Sequence, residues 1–227
     1  MGQNMKTFKI STLALSLTFS ALTFSVRANA VSVKADPLAA QGCMSKVSVE
    51  AAEAAMKRFN LHQLNARPSE VQTLGTALVY IEKLNGGRPI ERALGSESGY
   101  AFNFQNGTGN SRQETGQVHI TRNGAKHNGN NVAQLVHELG HYIGNNGAYA
   151  PYGEAVGHKY CVVSSYSNDN SHEQFAEVFA AFVTRPALIK ENSSAACQAA
   201  YKFFVNYFDG DASEMVNKCI EKQDAAE

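Results

Sequence analysis

The sequence predicts an α+β domain, because its pattern changes from helical to strand-like and back to helical along the chain. Apolar residues recur at helical spacing over 45–66 and 69–84. Two short segments, 100–104 and 117–121, alternate apolar and polar residues as half-buried strands do. Helical patterns return after residue 131. Since the strands are grouped, we expect a small sheet with helices before and after it, not an alternating parallel sheet.

The N-terminal elements have recognisable limits. The first predicted helix, 45–66, places Val47, Ala51, Ala54, Ala55, Phe59 and Leu61 on one side, and Pro68 follows it. The second spaces Val71, Leu74, Leu78 and Ile81 at helical intervals and ends at Gly86-Gly87. The polar, Gly-rich stretch QNGTGNSRQETG joins the two predicted strands and is typical of a loop.

The C-terminal half is predicted to be helical. One helix begins near Asn131, which can cap it, and ends near Gly144. The next opens at Ser171, with Gln174 at the capping-box position, and Pro186 ends it. Two more helices are predicted at about 194–208 and 211–222, separated by Asp209-Gly210.

Residues 1–30 are typical of a secretory signal peptide. Basic Lys6 and Lys9 precede an apolar segment at 10–26, and Ala28-Asn29-Ala30 is a small-x-small cleavage site. We therefore expect one domain at 31–227, secreted or periplasmic and without stable membrane insertion. Removing the three basic residues of the signal peptide from the 20 in the chain leaves 17, against 20 acidic residues, a net charge of −3. Without a basic stripe or a Lys/Arg run, nothing indicates nucleic acid, and we expect a monomer.

The four cysteines of the exported chain indicate disulfides, for which two bridges allow three connectivities. Their spacing does not match a zinc-finger pattern. We expect Cys197–Cys219 and Cys43–Cys161, because the first pair lies on two consecutive predicted helices.

The motif HELGH at 137–141 indicates a metal site. His137 and His141 are four residues apart on a predicted helix, so both imidazoles project from one face and can reach one ion. Glu138 can then lie beside the open coordination position and accept a proton from water. Two surface histidines on an amphipathic helix remain the alternative explanation.

The third ligand has several candidates in the sequence. A nearby Gly-x-x-His ending would need histidine at 147, where this chain has Gly147. Glu154 has no second acid one turn later, and His158 is a lone histidine. The stretch SHEQFAEVFAAF at 171–182 is the stronger candidate, because Glu173 and Glu177 share one face of a helix. The opposite face is apolar, with Phe175, Val178, Phe179 and Phe182.

Together, HELGH and EQFAEVF resemble the lethal-factor-type zinc peptidases, a family that includes the catalytic domain of anthrax lethal factor and the secreted Pro-Pro endopeptidases. The resemblance covers 137–182 and implies a zincin-like fold with one Zn²⁺ ion. It makes His137, His141 and Glu173 the ligands and Glu138 the base. Glu177 would hold a ligating imidazole as an outer carboxylate.

The family also has an active-site tyrosine seven residues before the ligand glutamate, and Tyr166 occupies that position here. Gln174 departs from the family pattern, which often has an aromatic residue after the ligand. The resemblance thus implies an exported zinc endopeptidase, with a protein or peptide as its substrate. An extended substrate is expected to pair with the strand at 118–121, on which His119 is expected to be a surface residue.

Two other functions compete with the peptidase. A zinc-binding module without catalysis, acting in adhesion or partner binding, would need the ligands but not Glu138. A plain helical domain would bind no metal. Tyr142, Tyr149 and Tyr152 lie near the motif in sequence, and their pattern assigns them no role.

Overall fold

The computed structural model describes residues 43–88, 100–107, 112–114, 116–122 and 132–224. Its helices are α1 (Val49–Arg58), α2 (Pro68–Leu84), α3 (Val132–Ile143), α4 (Tyr149–Ala155), α5 (Ser171–Thr184), α6 (Ala187–Lys190), α7 (Ala195–Phe208) and α8 (Ala212–Asp224). Its strands are β1 (Leu61–Leu64), β2 (Tyr100–Gln105), β3 (Arg112–Glu114) and β4 (Gln117–Thr121). The predicted signal peptide and the Asn131 cap lie outside the described residues.

The four described strands form one sheet in the order β1-β2-β4-β3. β1, β2 and β4 are parallel, whereas β3 runs antiparallel to β4. Parallel pairing of β1 with β2 needs a crossover, and α2 lies between them in the chain. The mixture of helices with a small sheet is compatible with the predicted α+β class, although the sheet is more parallel than we expected.

β1 corrects the prediction of one helix over 45–66. Ser48 caps α1 by accepting a hydrogen bond from the backbone N–H of Ala51, and the helix ends at Arg58. Asn60 then takes a left-handed conformation with φ 50°, which asparagine tolerates better than most residues and which a helix cannot continue through. Leu61 is buried as predicted, but as the first residue of a strand.

The two predicted strands are confirmed as β2 and β4. β2 buries every second side chain, those of Tyr100, Phe102 and Phe104. β3 pairs with β4 over Gln117–His119, so this part of β4 is not open to an extended substrate as predicted, while Ile120 and Thr121 are paired with β2 alone among the described strands. His119 on β4 is 8% exposed, with its Nδ1 2.6 Å from Nε2 of Gln105, so it is not a surface residue.

The C-terminal helices share an aromatic core. Phe175, Phe179 and Phe182 of α5 face Phe204 and Phe208 of α7, with ring centroids between 5.3 and 6.0 Å apart where the two helices meet. All five rings are fully buried. This core holds the apolar face of α5 and so fixes which face of α5 is left for chemistry. Among the described helices, none combines the length and the hydrophobicity that a membrane span requires.

Two disulfides are present, but not in the pairing we expected. Cys43 is bonded to Cys219 and Cys161 to Cys197. The prediction assumed that cysteines on consecutive helices pair with each other. Instead, α8 is tied to the N-terminal end of the described chain, and α7 is tied to the segment that precedes α5. Cys161 and Cys197 are fully buried.

A buried ion pair ties α2 to the end of β4. The Arg122 guanidinium donates to both carboxylate oxygens of Glu70, at 2.7 and 2.8 Å, and the backbone N–H of Arg67 donates to the same carboxylate at 2.7 Å. Glu70 is 2% exposed. Burial alone raises the pKa of Glu70, but the hydrogen bonds from Arg122 and Arg67 outweigh it and hold the pKa below its usual value.

Candidate metal centre

Helix α3 carries the HELGH motif in the interior of the protein. Its apolar residues Leu135, Val136, Leu139, Tyr142 and Ile143 are all buried. The two histidines, His137 and His141, are also buried, at 5% and 6% exposure. Their rings lie edge to face, with centroids 4.8 Å apart, as expected for a spacing of four residues. The motif is therefore not a pair of surface histidines.

Helix α5 presents two carboxylates to α3. Asn170 caps it by accepting hydrogen bonds from the backbone N–H groups of His172 and Glu173, so the cap is one residue before the predicted Ser171. The two helices approach closely where α3 has Gly140: a Cβ at this position would lie 2.9 Å from the Cα of Ala176. The absent side chain thus lets α5 lie against the histidine face of α3.

The three predicted ligand residues lie together. One oxygen of Glu173, Oε2, is 3.2 Å from Nε2 of His137 and 3.3 Å from Nε2 of His141. Candidate ligand atoms of all three residues lie within 4.8 Å of one another, and this is the group among the described residues that can hold a metal ion. Tetrahedral zinc with bonds of about 2.0–2.1 Å sets its ligand atoms about 3.3 Å apart. The two Glu173–imidazole distances and the two-imidazole, one-carboxylate donor set therefore fit zinc.

The outer nitrogen of His137 has a carboxylate partner. Its Nδ1 lies 2.9 Å from Oε1 of Glu177, and the Ser164 hydroxyl donates to the other oxygen of Glu177 at 2.5 Å. Burial lowers the pKa of His137, but the hydrogen bonds to Glu173 and Glu177 outweigh it and raise the pKa to about 10. Glu177 thus occupies the outer position that the sequence assigned to it, and Ser164, which no motif indicated, orients it.

The outer nitrogen of His141 has a different partner. Its Nδ1 is 3.0 Å from the hydroxyl of Tyr149, at the start of α4. A π-helical turn, Gly144–Ala148, joins α3 to α4, with non-helical φ/ψ angles at Asn146 and Gly147. No periodicity in the sequence signals such a turn, so sequence reasoning gave Tyr149 no role.

Glu138 is almost completely buried beside the two histidines, at 4% exposure. Burial raises the pKa of Glu138, and the neighbouring imidazoles of His137 and His141 only partly oppose the rise. A carboxylate in this environment accepts a proton more readily than one in water.

Tyr166 lies in a short 3-10 turn, Tyr166–Asn168, at the histidine face. Its ring centroid is 6.0 Å from that of His137. Burial raises the pKa of Tyr166 to about 12, and the negative charge of Glu173 adds to the rise. The phenol therefore keeps its proton at neutral pH and is able to donate a hydrogen bond.

The two other candidates for the third ligand lie elsewhere. Glu154 and His158 are exposed, at the end of α4 and just after it. The ring of His158 lies against Gly153, where an added Cβ would be 3.4 Å from its Nδ1. Neither belongs to the metal-binding group found among the described residues.

Comparison with known proteins gave no match: no family model, no curated protein and no solved structure matches the chain.

Proposed function

We propose that the protein is a zinc-dependent endopeptidase with a zincin-like fold. The observation that best supports this proposal is the convergence of three separate segments on one point. His137 and His141 come from one helix, Glu173 from a helix 32 residues later, and Tyr166 from the turn between. The resemblance to lethal-factor-type peptidases selects the same residues.

A bound zinc ion supplies Lewis acidity, which makes water a stronger acid and a peptide carbonyl more electrophilic. His137, His141 and Glu173 would hold the ion. The Glu138 carboxylate accepts a proton from the attacking water and passes it to the leaving amine nitrogen. The Tyr166 hydroxyl donates a hydrogen bond to the carbonyl oxygen as that oxygen gains negative charge.

We further propose that the protein acts outside the cytoplasm, in the extracellular space or the periplasm, on a protein or peptide. The two disulfides support this location, since such bonds persist in oxidising compartments. The signal-like pattern at 1–30 supports it independently.

The test combines metal analysis with peptide cleavage. Chain 31–227, its Glu138→Gln variant and a control Glu154→Gln variant are purified, analysed for zinc and incubated with a peptide library. We expect one zinc per chain in all three and a fall of about 10²–10⁴-fold in cleavage rate for Glu138→Gln alone. Zinc without cleavage by the unchanged chain would support a zinc-binding module instead, and absence of zinc would contradict both functions.

A further inference from the structure

The two ligating histidines differ in what holds their outer nitrogen. Nδ1 of His137 faces a carboxylate, that of Glu177, at 2.9 Å. Nδ1 of His141 faces a phenol, that of Tyr149, at 3.0 Å. Since Nε2 of each imidazole points at Glu173, Nδ1 is the nitrogen that carries the proton when a metal is bound. The Tyr149 hydroxyl is therefore placed to accept an N–H hydrogen bond from His141, whereas the Glu177 carboxylate lies at ion-pair distance from Nδ1 of His137.

The ring of Tyr149 packs against three residues. On one side is Gly144, where an added Cβ would lie 2.2 Å from Cε1 of the ring. The imidazole of His172 stacks on the ring, with centroids 4.1 Å apart and planes 9° from parallel. Phe175 packs edge-on, at 5.1 Å. These three contacts restrain the ring and place its hydroxyl at Nδ1 of His141, with Tyr149 half-buried and His172 exposed.

The π-helical turn makes this contact possible. Tyr149 comes eight residues after His141. In a continuous α-helix these residues would be about 12 Å apart along the axis, too far for the side chains to meet. The non-helical angles at Asn146 and Gly147 break the helix between them. The contact thus depends on a specific interruption of α3 and not on regular helical geometry.

We propose that Tyr149 is a positioning residue of the metal centre, whose hydroxyl accepts the Nδ1–H of His141 and keeps Nε2 directed at the ion. This inference rests on the zinc-binding part of the proposed function. A phenol is neutral, whereas a carboxylate adds a negative charge and is the stronger acceptor. A tyrosine therefore orients the second imidazole without adding a fourth carboxylate to Glu138, Glu173 and Glu177.

Zinc affinity of Tyr149→Phe, measured by competition with a chelator, is the first test. We expect it to fall by about 10–100-fold, the usual cost of losing an outer partner of a ligating histidine. Tyr152→Phe is the matched control. Tyr152 lies on the same helix, is 2% exposed and also contacts Phe175, but its hydroxyl has no hydrogen-bond partner among the described residues. The zinc affinity of Tyr152→Phe is expected to stay within about twofold of that of the unchanged chain.

Proton exchange in the zinc-loaded protein is the second test, because a purely structural role would not change it. In ¹H–¹⁵N spectra the Nδ1–H signals of both His137 and His141 are expected in the unchanged chain. Tyr149→Phe should lose the His141 signal to exchange with water and keep that of His137. Gly144→Ala, which displaces the ring but keeps the hydroxyl, should weaken zinc binding in the same direction.

The outcomes separate this inference from the proposed function. If Tyr149→Phe binds zinc as tightly as Tyr152→Phe and keeps the His141 signal, the inference is wrong while the peptidase proposal stands. If Tyr149→Phe loses affinity and the His141 signal but the unchanged chain cleaves nothing, the inference stands and the peptidase proposal fails. A chain that binds no zinc overturns both.

Discussion

Two buried carboxylate clusters in this protein are neutralised in different ways. At the end of the sheet, the Glu70 carboxylate accepts hydrogen bonds from the Arg122 guanidinium and from the backbone N–H of Arg67. The three donor–acceptor distances are 2.7, 2.8 and 2.7 Å. At the helix pair, Glu173 faces two imidazoles at 3.2 and 3.3 Å. Arginine is charged at any accessible pH, whereas histidine is charged only when protonated.

The two clusters differ in whether the charges of their side chains balance. The Glu70 cluster balances one carboxylate with one permanent cation. The helix cluster sets Glu138, Glu173 and Glu177 against His137 and His141, so neutral imidazoles would leave three negative charges largely buried. Burying uncompensated charge is costly, so such a cluster needs protons or a metal ion. We therefore expect the first cluster to govern stability and the second to govern metal binding.

The largest expected effect concerns the helix cluster. Glu173→Ala removes one of the three ligand atoms. Zinc affinity should therefore fall further than the loss of about 10–100-fold that is typical when a hydrogen-bond partner of a ligating histidine is removed. Chelator competition measures it, with His158→Ala, an exposed histidine outside the cluster, as the control. If His158→Ala loses zinc and Glu173→Ala does not, the ligand assignment is wrong.

Arg122→Met should affect the Glu70 cluster and not the helix cluster. It leaves Glu70 buried without its cation, so the free energy of unfolding in denaturant should fall by about 3–5 kcal/mol. Zinc affinity should be unchanged. Lys218→Met is the control: in its pair with Glu214 both side chains are exposed, at 72% and 65%, and such pairs contribute about 0–1 kcal/mol. Equal losses for both variants would contradict the distinction.

A smaller effect is expected from Glu177→Gln. The amide can still accept a hydrogen bond from His137 but lacks the charge, so zinc affinity should fall by about tenfold, the low end for outer partners. The ion should remain bound at saturating zinc, as elemental analysis would show. A complete loss of zinc would mean that Glu177 is itself a ligand.

The smallest expected effect is on how the stability of the fold depends on pH in the acid range. Because the pKa of Glu70 is lower in the folded chain than its usual value, its ion pair stabilises the fold fully above that usual value, about 4.3. This contribution is lost as pH falls through the lowered pKa. Thermal unfolding between pH 5 and pH 2 should therefore depend less on pH in Glu70→Gln. An unchanged pH dependence would contradict the assignment.

The site was more predictable than the fold around it. The spacing of His137 and His141, and of Glu173 and Glu177, follows from helical periodicity, which acts within one element. The convergence of the two pairs was expected because carboxylates on an otherwise apolar helix need a buried partner, and the resemblance selected the same residues. Periodicity within one element also gave β2 and β4, from alternating apolar and polar residues, and the limits of α7 and α8 closely.

The failures all depend on contacts or conformations that periodicity does not report. β1 was missed because Leu61 continues an apolar pattern, while the break consists of one left-handed residue, Asn60. The disulfide pairing depends on where α8 and α7 pack, not on their order. Tyr149 reaches His141 only through a π-helical turn.

The bond between Cys43 and Cys219 has a further consequence. These residues are 176 positions apart, and every described strand and the candidate metal centre lie between them. A single cut of the backbone anywhere within this span leaves the two fragments covalently linked. Nicked molecules would therefore migrate as one band in electrophoresis without reductant and as two bands with it. In a compartment rich in proteases, a first cleavage would thus not release either fragment.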